Sequence, residues 1–157
     1  MANQGAPIVI ADLLKEEAEK TAAEIESNGG KAMSIKTDIC NFDEVKAMVA
    51  RAKEHFSTVD ILVNNAGWDR MIPFHKTDPE LWNKIIDINY KGTLNCVFCA
   101  MEEMKSNNYG KIISIASDAG RVGSSGEAVY SGTKGAVIAF SKASRVTCPF
   151  SLRGMVF

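Results

Sequence analysis

The sequence predicts an α/β protein with a doubly wound, Rossmann-like parallel sheet. Short apolar runs of strand length alternate with longer segments in which apolar residues recur at helical spacing. Their order, strand–helix–strand–helix–strand, favours parallel strands joined by helical crossovers. With 157 residues, 46% of them hydrophobic and 24% charged, the chain is long enough for one domain with a buried core.

The amino-terminal half supplies three of the predicted strands. Residues 8–12 form an apolar run that ends in an acid, as expected of a buried parallel strand. Residues 32–37 alternate, which predicts a strand covered on one face, and residues 59–63 predict the third strand. Apolar residues at helical spacing predict a helix between each pair of strands, and residues 28–30 (N-G-G) stop the first helix.

A long helix is predicted to begin at Asp78 and Pro79, as N-cap and first-turn residue. Its apolar residues form two stripes, so we expect it to be covered on two sides. One side should face the sheet, and the other either further helices of the same chain or a second subunit. The two-sided pattern favours an oligomer. The stripes are Leu81, Ile85, Ile88, Cys96 and Cys99, and Trp82, Ile86, Val97, Ala100 and Met104.

After this helix the sequence predicts one more strand and one more helix. Residues 111–116 form an apolar run that leads into a loop and then into a helix carrying Tyr130 and Lys134. The helical pattern breaks at Cys148 and Pro149, and the tail of residues 145–157 contains no recognisable element.

Composition excludes several classes of function. A net charge of −1 offers no basic surface for nucleic acid. No apolar run approaches the roughly 20 residues needed to span a bilayer, and the amino end lacks a secretion signal, so we expect a cytoplasmic protein. With two histidines and a C-x-x-C (Cys96, Cys99) placed in mid-helix among apolar residues, we expect core packing and no metal site.

The chemistry is concentrated between Ser117 and Lys134. Tyr130 and Lys134 stand four positions apart, so they share one face of a helix. A tyrosine loses its proton near pH ~10, and a nearby cation favours the phenolate and brings it toward neutrality, where acid–base catalysis works best. Ser117 ends the preceding strand region and is placed to point its hydroxyl at the same spot.

Four features in this order and spacing resemble the short-chain dehydrogenase/reductase family. They are residues 64–67 (N-N-A-G) after a strand, Asn89 on the long helix, Ser117, and the Tyr130–Lys134 pair. The resemblance implies oxidation of a secondary alcohol with NAD by catalytic Asn89, Ser117, Tyr130 and Lys134. It also implies a homo-oligomer when intact, and a water-mediated proton path past Asn89 to Lys134.

The resemblance also suggests a substrate class. Residues 64–74 and 115–130 are similar to family members that oxidise cyclic hydroxyacyl-CoA compounds, so we expect a small-molecule hydroxyacyl or alcohol substrate. The nearest alternative is the reverse reaction on a 3-oxoacyl carrier protein.

The expected cofactor residues follow from the same resemblance. Asp12 would bind the adenosine ribose and repel a 2′-phosphate, favouring NAD over NADP, although capping the following helix would suit an aspartate equally well. Asp38 and Ile39 would bracket the adenine. The remaining residues are Asn64, Asn65, Ala66, Gly67, Tyr130 and Lys134, and a purely structural turn at 64–67 stays open.

The amino end departs from the family pattern. Family members begin with a strand and a turn of the form Thr-Gly-x-x-x-Gly-x-Gly, and no such motif occurs in this sequence. The first strand here resembles the second strand of the family. We therefore expect residues 1–157 to form a single, incomplete NAD-binding domain, family-like from about residue 7 to 144. A non-catalytic fragment is the alternative from another class.

Overall fold

Five strands and six helices make up the part of the chain that the computed structural model describes, residues 1–147 and 152–156. Every strand pair is parallel, as predicted. The strands are β1 (Ile8–Asp12), β2 (Ala32–Lys36), β3 (Ile61–Asn64), β4 (Gly110–Ser114) and β5 (Leu152–Val156). The helices are α1 (Lys15–Ser27), α2 (Phe42–Phe56), α3 (Pro79–Ile86), α4 (Gly92–Ser106), α5 (Ala119–Val122) and α6 (Ala128–Thr147).

The strands form two separate groups. β1 pairs with β2, and β3 pairs with β4, which pairs with β5. β1 and β3 each keep one edge that no other described strand covers. Val63 in β3 is 44% exposed. This exposure is high for a strand of a parallel sheet, because both faces of such a sheet are ordinarily buried.

One core nevertheless connects the two groups. It contains Ile35 from β2, Val45 from α2 and Cys96 from α4, among other buried residues. Val9 of β1 and Leu62 of β3 both pack against this cluster. The predicted core role of the C-x-x-C is confirmed, and burial raises the pKa of the Cys96 thiol to about 12, which disfavours thiolate chemistry.

The long helix begins as predicted, with the Asp78 carboxylate accepting the Leu81 N–H at 2.8 Å and Pro79 in the first turn. It continues from α3 through a π-helical turn, Asp87–Lys91, into α4. The carboxyl-terminal part of the second apolar stripe is covered within the chain, because Val97, Ala100 and Met104 pack with Ile112 of β4. The two-sided pattern therefore does not by itself require a second subunit.

Two boundaries differ from the prediction. β3 begins at Ile61 rather than Val59, and residues 58–60 before it are irregular, with the Thr58 hydroxyl donating to the Asp60 carboxylate at 2.8 Å. The prediction of no element in the tail is wrong, because β5 lies there and pairs with β4. This pairing is a tertiary interaction, which a five-residue run does not reveal by periodicity. Cys148 and Pro149, the predicted break, lie outside the described residues.

Membrane-spanning helices and metal clusters are both absent from the described part of the chain. Among residues 1–147 and 152–156, no helix is both long and apolar enough to cross a bilayer. Within those same ranges, no group of three or more His, Cys, Asp or Glu side chains is placed to hold a metal ion.

α5 packs on α6 through backbone contact at two glycines. A Cβ at Gly120 would lie 2.6 Å from Gly135 N and 2.6 Å from the Lys134 carbonyl carbon. Because both neighbours are backbone atoms of a helix, neither can rotate away. This contact sets the distance between the Ser117 loop and the helix that carries Lys134.

We predict opposite effects of alanine at two glycines near the same helix. Gly120→Ala should lower the free energy of unfolding by roughly 1–3 kcal/mol, the usual cost of overpacking. Gly132→Ala is the control, because a Cβ at Gly132 in α6 would meet nothing within 4 Å, and it should stabilise by up to about 1 kcal/mol. Denaturant titrations of both variants measure the free energy of unfolding. Equal changes in the two variants would contradict the close contact of Gly120 with α6.

Candidate active site

The predicted site residues lie at the carboxyl ends of the parallel strands. Asp12 is the last residue of β1, Asp38 comes shortly after β2, and Asn64 is the last residue of β3. Ser117 comes shortly after β4. Ligands of open parallel sheets bind at this edge, where the loops that follow the strands gather.

Asn89 is a buried amide whose hydrogen-bonding groups are all used. It is 1% exposed in the π-helical turn. Its Nδ2 donates to the Trp68 carbonyl at 2.6 Å and to the Ile85 carbonyl at 2.9 Å, while its Oδ1 accepts the Trp68 N–H at 3.2 Å. Asn89 therefore holds the segment after β3 against the long helix. The water-mediated proton path past Asn89 stays a prediction.

Gly67 lies where Asn89 and Lys134 converge. A Cβ at this position would lie 3.0 Å from Asn89 Oδ1 and 3.7 Å from Lys134 Nζ. The missing side chain thus leaves space beside the ammonium and lets a ligand approach the backbone closely.

Lys134 is held inside the protein beside Tyr130. It is 5% exposed, and its Nζ donates to the Ile115 carbonyl at 2.7 Å. Nζ lies 5.6 Å from the centre of the Tyr130 ring, so the two side chains share one face of α6, as predicted. Burial lowers the pKa of Lys134 from its ordinary value, because desolvation disfavours the ammonium form.

Ser117 lies in the loop between β4 and α5 and is half-buried. Its Oγ accepts the Ala119 N–H at 3.2 Å, and its carbonyl accepts the Gly120 N–H at 2.9 Å. The hydroxyl therefore orders the start of α5, and its proton can still be donated to a ligand.

The turn after β3 combines structural and accessible residues. Asn64 Nδ2 donates to Ser114 Oγ at 3.4 Å, which links the ends of β3 and β4. Asn65 and Ala66 are exposed at the sheet edge. The structural interpretation holds for Asn64, and the neighbouring exposed backbone is accessible to a cofactor.

Asp12 makes a local turn contact before α1. Its Oδ1 accepts the Leu14 N–H at 2.8 Å, and Leu14 is itself the N-cap residue of α1, so the alternative role of Asp12 as the helix cap is wrong. The side chain is exposed at the end of β1, so a second carboxylate oxygen is accessible to a ligand. The ribose role of Asp12 stays a prediction.

Asp38 and Ile39 lie on the β1–β2 side of the site. The Asp38 Oδ1 accepts the Cys40 N–H at 2.9 Å, which makes it a turn residue. Ile39 packs on the long helix, where a Cβ at Gly92 would lie 2.6 Å from its Cδ1. The Ile39 carbonyl also accepts Asn95 Nδ2 at 2.9 Å, so this loop is fastened to the helix that carries Asn89.

The sequence analysis does not single out two carboxyls next to Tyr130. Asp69 and Glu127 line one small cleft together with that tyrosine. Each stands close to a recognised motif in the sequence, two residues after Gly67 and three before Tyr130. Their proximity to each other depends on the tertiary fold, so the sequence contains no signal for it.

The site fits part of a nicotinamide dinucleotide. The exposed Asp12 carboxylate ends β1, and Gly67, which has no side chain to block a ligand, follows β3. The buried Lys134 ammonium lies beside the Tyr130 phenol. The sequence contains no glycine-rich turn that would lead into a helix amino end for the pyrophosphate.

Comparisons with known proteins agree on one family. The sequence model described as "short chain dehydrogenase" matches residues 1–148. The 3-oxoacyl-(acyl-carrier-protein) reductase FabG of Staphylococcus aureus is 37% identical over 130 residues, which cover 83% of this chain and 53% of that protein. The (2S)-((R)-hydroxy(phenyl)methyl)succinyl-CoA dehydrogenase subunit BbsD of Thauera aromatica is 35% identical over 142 residues, covering 90% and 57%.

A solved structure shares the fold. NAD+-bound xylitol dehydrogenase superposes with a TM-score of 0.95 at 28% identity, over 99% of this chain and 60% of that one. The fold is therefore Rossmann-like. The chain spans about half the length of the curated relatives it matches.

We predict that Asn89→Asp strongly destabilises the fold. Aspartate cannot donate to the Trp68 and Ile85 carbonyls and buries a charge, so we expect a loss of more than about 2 kcal/mol in the free energy of unfolding. Asn83→Asp, on the exposed face of α3, is the matched control and should change it by less than about 0.5 kcal/mol. Similar losses in denaturant unfolding of both variants would contradict the role of Asn89.

Proposed function

The chain belongs to the short-chain dehydrogenase family. On that basis we propose that it carries the residues for acid–base catalysis of an oxidoreductase acting on CH–OH groups. The observation that carries this proposal is the buried Lys134 ammonium beside the Tyr130 ring. A buried cation near a phenol favours the phenolate, which is the form needed to accept a proton from an alcohol.

In the proposed reaction, Tyr130 accepts the hydroxyl proton of a secondary alcohol. The Ser117 hydroxyl donates a hydrogen bond to the substrate oxygen and stabilises the negative charge that develops there. Lys134 holds its ammonium beside the Tyr130 ring, and Asn89 keeps the segment around Gly67 in place. A nicotinamide dinucleotide, when bound, supplies the hydride acceptor for the carbinol carbon.

We propose NAD rather than NADP as the cofactor. The exposed Asp12 carboxylate at the end of β1 supports this choice, since it would accept a ribose hydroxyl and repel a 2′-phosphate. Asp38 and Ile39 are proposed to lie beside the adenine, and residues 64–67 beside the nicotinamide ribose. The NAD+-bound structural relative is consistent with this assignment.

The proposed substrate is a hydroxyacyl-CoA, with 2-hydroxycyclohexanecarboxyl-CoA as the specific candidate. The relative from Thauera aromatica supports this class, because its name describes a dehydrogenase subunit for a (hydroxy(phenyl)methyl)succinyl-CoA. Trp68, the residue after Gly67, is proposed to contact a ring substrate, and Lys84 Nζ lies 3.9 Å from the centre of its indole ring.

The second candidate is a 3-oxoacyl-(acyl-carrier-protein) reductase, which the similarity to the Staphylococcus aureus protein favours. The two candidates differ in substrate and in cofactor. The test uses a chimaera in which the flanking segments of a relative extend this chain at both ends. Reduction of NAD with a cyclic 3-hydroxyacyl-CoA supports the hydroxyacyl-CoA dehydrogenase. Oxidation of NADPH with a 3-oxoacyl carrier protein supports the reductase.

We also propose a homo-oligomer for the whole enzyme. Ile86 is 41% exposed and Phe98 is 61% exposed, both on the long helix, so part of its apolar surface is uncovered in one chain. Sedimentation of the chimaera measures the assembly.

A non-catalytic fragment is the candidate from another class, and the uncovered edges of β1 and β3 favour it. We expect the 157-residue polypeptide alone to bind NADH weakly. Two or three missing charge-assisted hydrogen bonds to the pyrophosphate cost about 4 kcal/mol, or roughly a thousandfold in affinity. Micromolar binding in a fluorescence titration would show that other residues replace the glycine-rich turn.

We predict that Tyr130→Phe in the chimaera removes nearly all turnover and leaves NAD affinity close to unchanged. Phenylalanine keeps the ring and loses only the ionisable oxygen. Tyr109→Phe, at an exposed tyrosine, is the matched control and should keep full activity. Turnover of Tyr130→Phe within about tenfold of the parent, less than the usual contribution of a general acid–base group, would rule out the proposed role.

We predict that Asp12→Ser in the same chimaera weakens NAD binding about tenfold or more, because a charge-assisted hydrogen bond contributes about 1.5–3 kcal/mol. Discrimination against NADP should fall as well, since the repulsion is removed. Asp43→Ser, in the first turn of α2, is the control. An unchanged ratio of NAD to NADP affinity would leave Asp12 with its turn contact to Leu14 only.

A further inference from the structure

Asp69 is an acid without a hydrogen-bond partner inside the cleft next to Tyr130. Both of its carboxylate oxygens are shielded from solvent, and neither makes a hydrogen bond within the described structure. Glu127, on the other wall of the cleft, is half-buried and immediately precedes α6. An ionised carboxylate left unpaired in such a place is costly, so the arrangement calls for a proton or a cation.

The two acids lie on segments that already touch. The Ile72 N–H donates to the Gly126 carbonyl at 2.8 Å, and a Cβ at Gly126 would lie 3.0 Å from Met71 Cγ. The Asp69 segment follows β3, and the Glu127 segment leads into the helix of Tyr130 and Lys134. A bond between the two acids would therefore fasten these two parts of the site to each other.

Carboxyls that face each other in a desolvated cleft cannot both ionise at low cost. If one of them keeps its proton, its O–H donates to the other carboxylate, and repulsion becomes a strong hydrogen bond. Burial raises the pKa of Asp69 from its ordinary value, and the negative charge of Glu127 raises it further.

We propose that the Asp69 and Glu127 carboxyls share one proton, and that this hydrogen-bonded pair positions the first turn of α6, with Tyr130, against the segment after β3. Glu127 reaches that turn directly, since its carbonyl accepts the Ser131 N–H at 2.8 Å. The positioning role rests on the function proposed for Tyr130, whereas the shared proton does not.

The other charged groups around the pair are few. Arg70, next to Asp69 in the chain, also lines the cleft and is exposed, and Tyr130 contributes its phenol from α6. On α3, Lys84 lies over the ring of Trp68, the residue before Asp69. In the part of the chain that the structure describes, no ion pair joins a basic side chain to Asp69 or Glu127.

The sign of the pH dependence follows from the raised pKa of Asp69. The folded state keeps this proton to a higher pH than the unfolded state, so the pair stabilises the fold at acidic pH. That stability is lost as the pH rises through the raised value. Lys134, whose pKa is lowered, gives the stability a separate pH dependence at alkaline pH. Both the parent and an Asp69 variant contain Lys134, so the difference between their stabilities removes this contribution.

The test uses the 157-residue chain and requires no enzymatic activity. Carbon-13 NMR of aspartate carboxyls in the parent should show one aspartate titrating above the ordinary value of about 3.9, and that signal should be absent in Asp69→Asn. Relative to Asp69→Asn, the unfolding midpoint of the parent should fall as the pH rises above this ordinary value. Asp118→Asn, at an exposed acid, is the matched control and should keep the parent slope.

Amide hydrogen exchange of Ile72 tests the positioning role. At acidic pH, near ~5, where the pair keeps its proton, Asp69→Ala should exchange about tenfold faster than the parent, the effect of one lost hydrogen bond. Asp69→Asn should keep the protection, because its amide donates to Glu127 in place of the proton. An Asp69 carboxyl in the parent that titrates as an ordinary aspartate would overturn the proposal, whatever the variants do. Equal Ile72 exchange in Asp69→Ala and parent would overturn the positioning role.

Discussion

The carboxamide of Asn89 is the contact on which the rest of the site depends. It binds both backbone groups of Trp68, so the segment after β3 cannot move away from the long helix without breaking two hydrogen bonds. A third bond, to the Ile85 carbonyl one helical turn earlier, fixes the orientation of the carboxamide. Gly67, one residue earlier, is thereby placed beside Lys134. The π-helical turn gives Asn89 its position, in keeping with the frequent use of such turns at functional sites.

The long helix also explains how a sheet in two parts belongs to one folded unit. One face of α4 contributes Cys96 and Cys99 to the core that β1 and β3 share, and the other packs on β4. The proposed acid–base residues depend on the second face and on α6, so their placement needs no pairing between β1 and β3, which the described strands do not show. The proposed adenosine residues, Asp12 and Asp38, lie on the other group of strands, at the ends of β1 and β2. Cofactor binding is therefore more sensitive than the acid–base chemistry to how the two groups of strands are placed.

Local patterns predicted four of the five described strands and the shared helix face of Tyr130 and Lys134. The capping chemistry of Asp78 and Pro79 predicts the start of their helix, and the spacing of Tyr130 and Lys134 places both on one face of α6. Long-range partners were beyond prediction. The pairing of β5 with β4 and the approach of Asp69 to Glu127 join segments that are distant in sequence, and no periodicity records them.

Amide hydrogen exchange of Trp68 in the isolated 157-residue chain tests this account most directly. If Asn89 forms the site in the absence of cofactor, the Trp68 N–H should exchange roughly a hundredfold more slowly than those of the exposed neighbours Ala66 and Gly67. Exchange of Trp68 as fast as that of Ala66 would contradict the account, because the segment after β3 would then be free of the long helix.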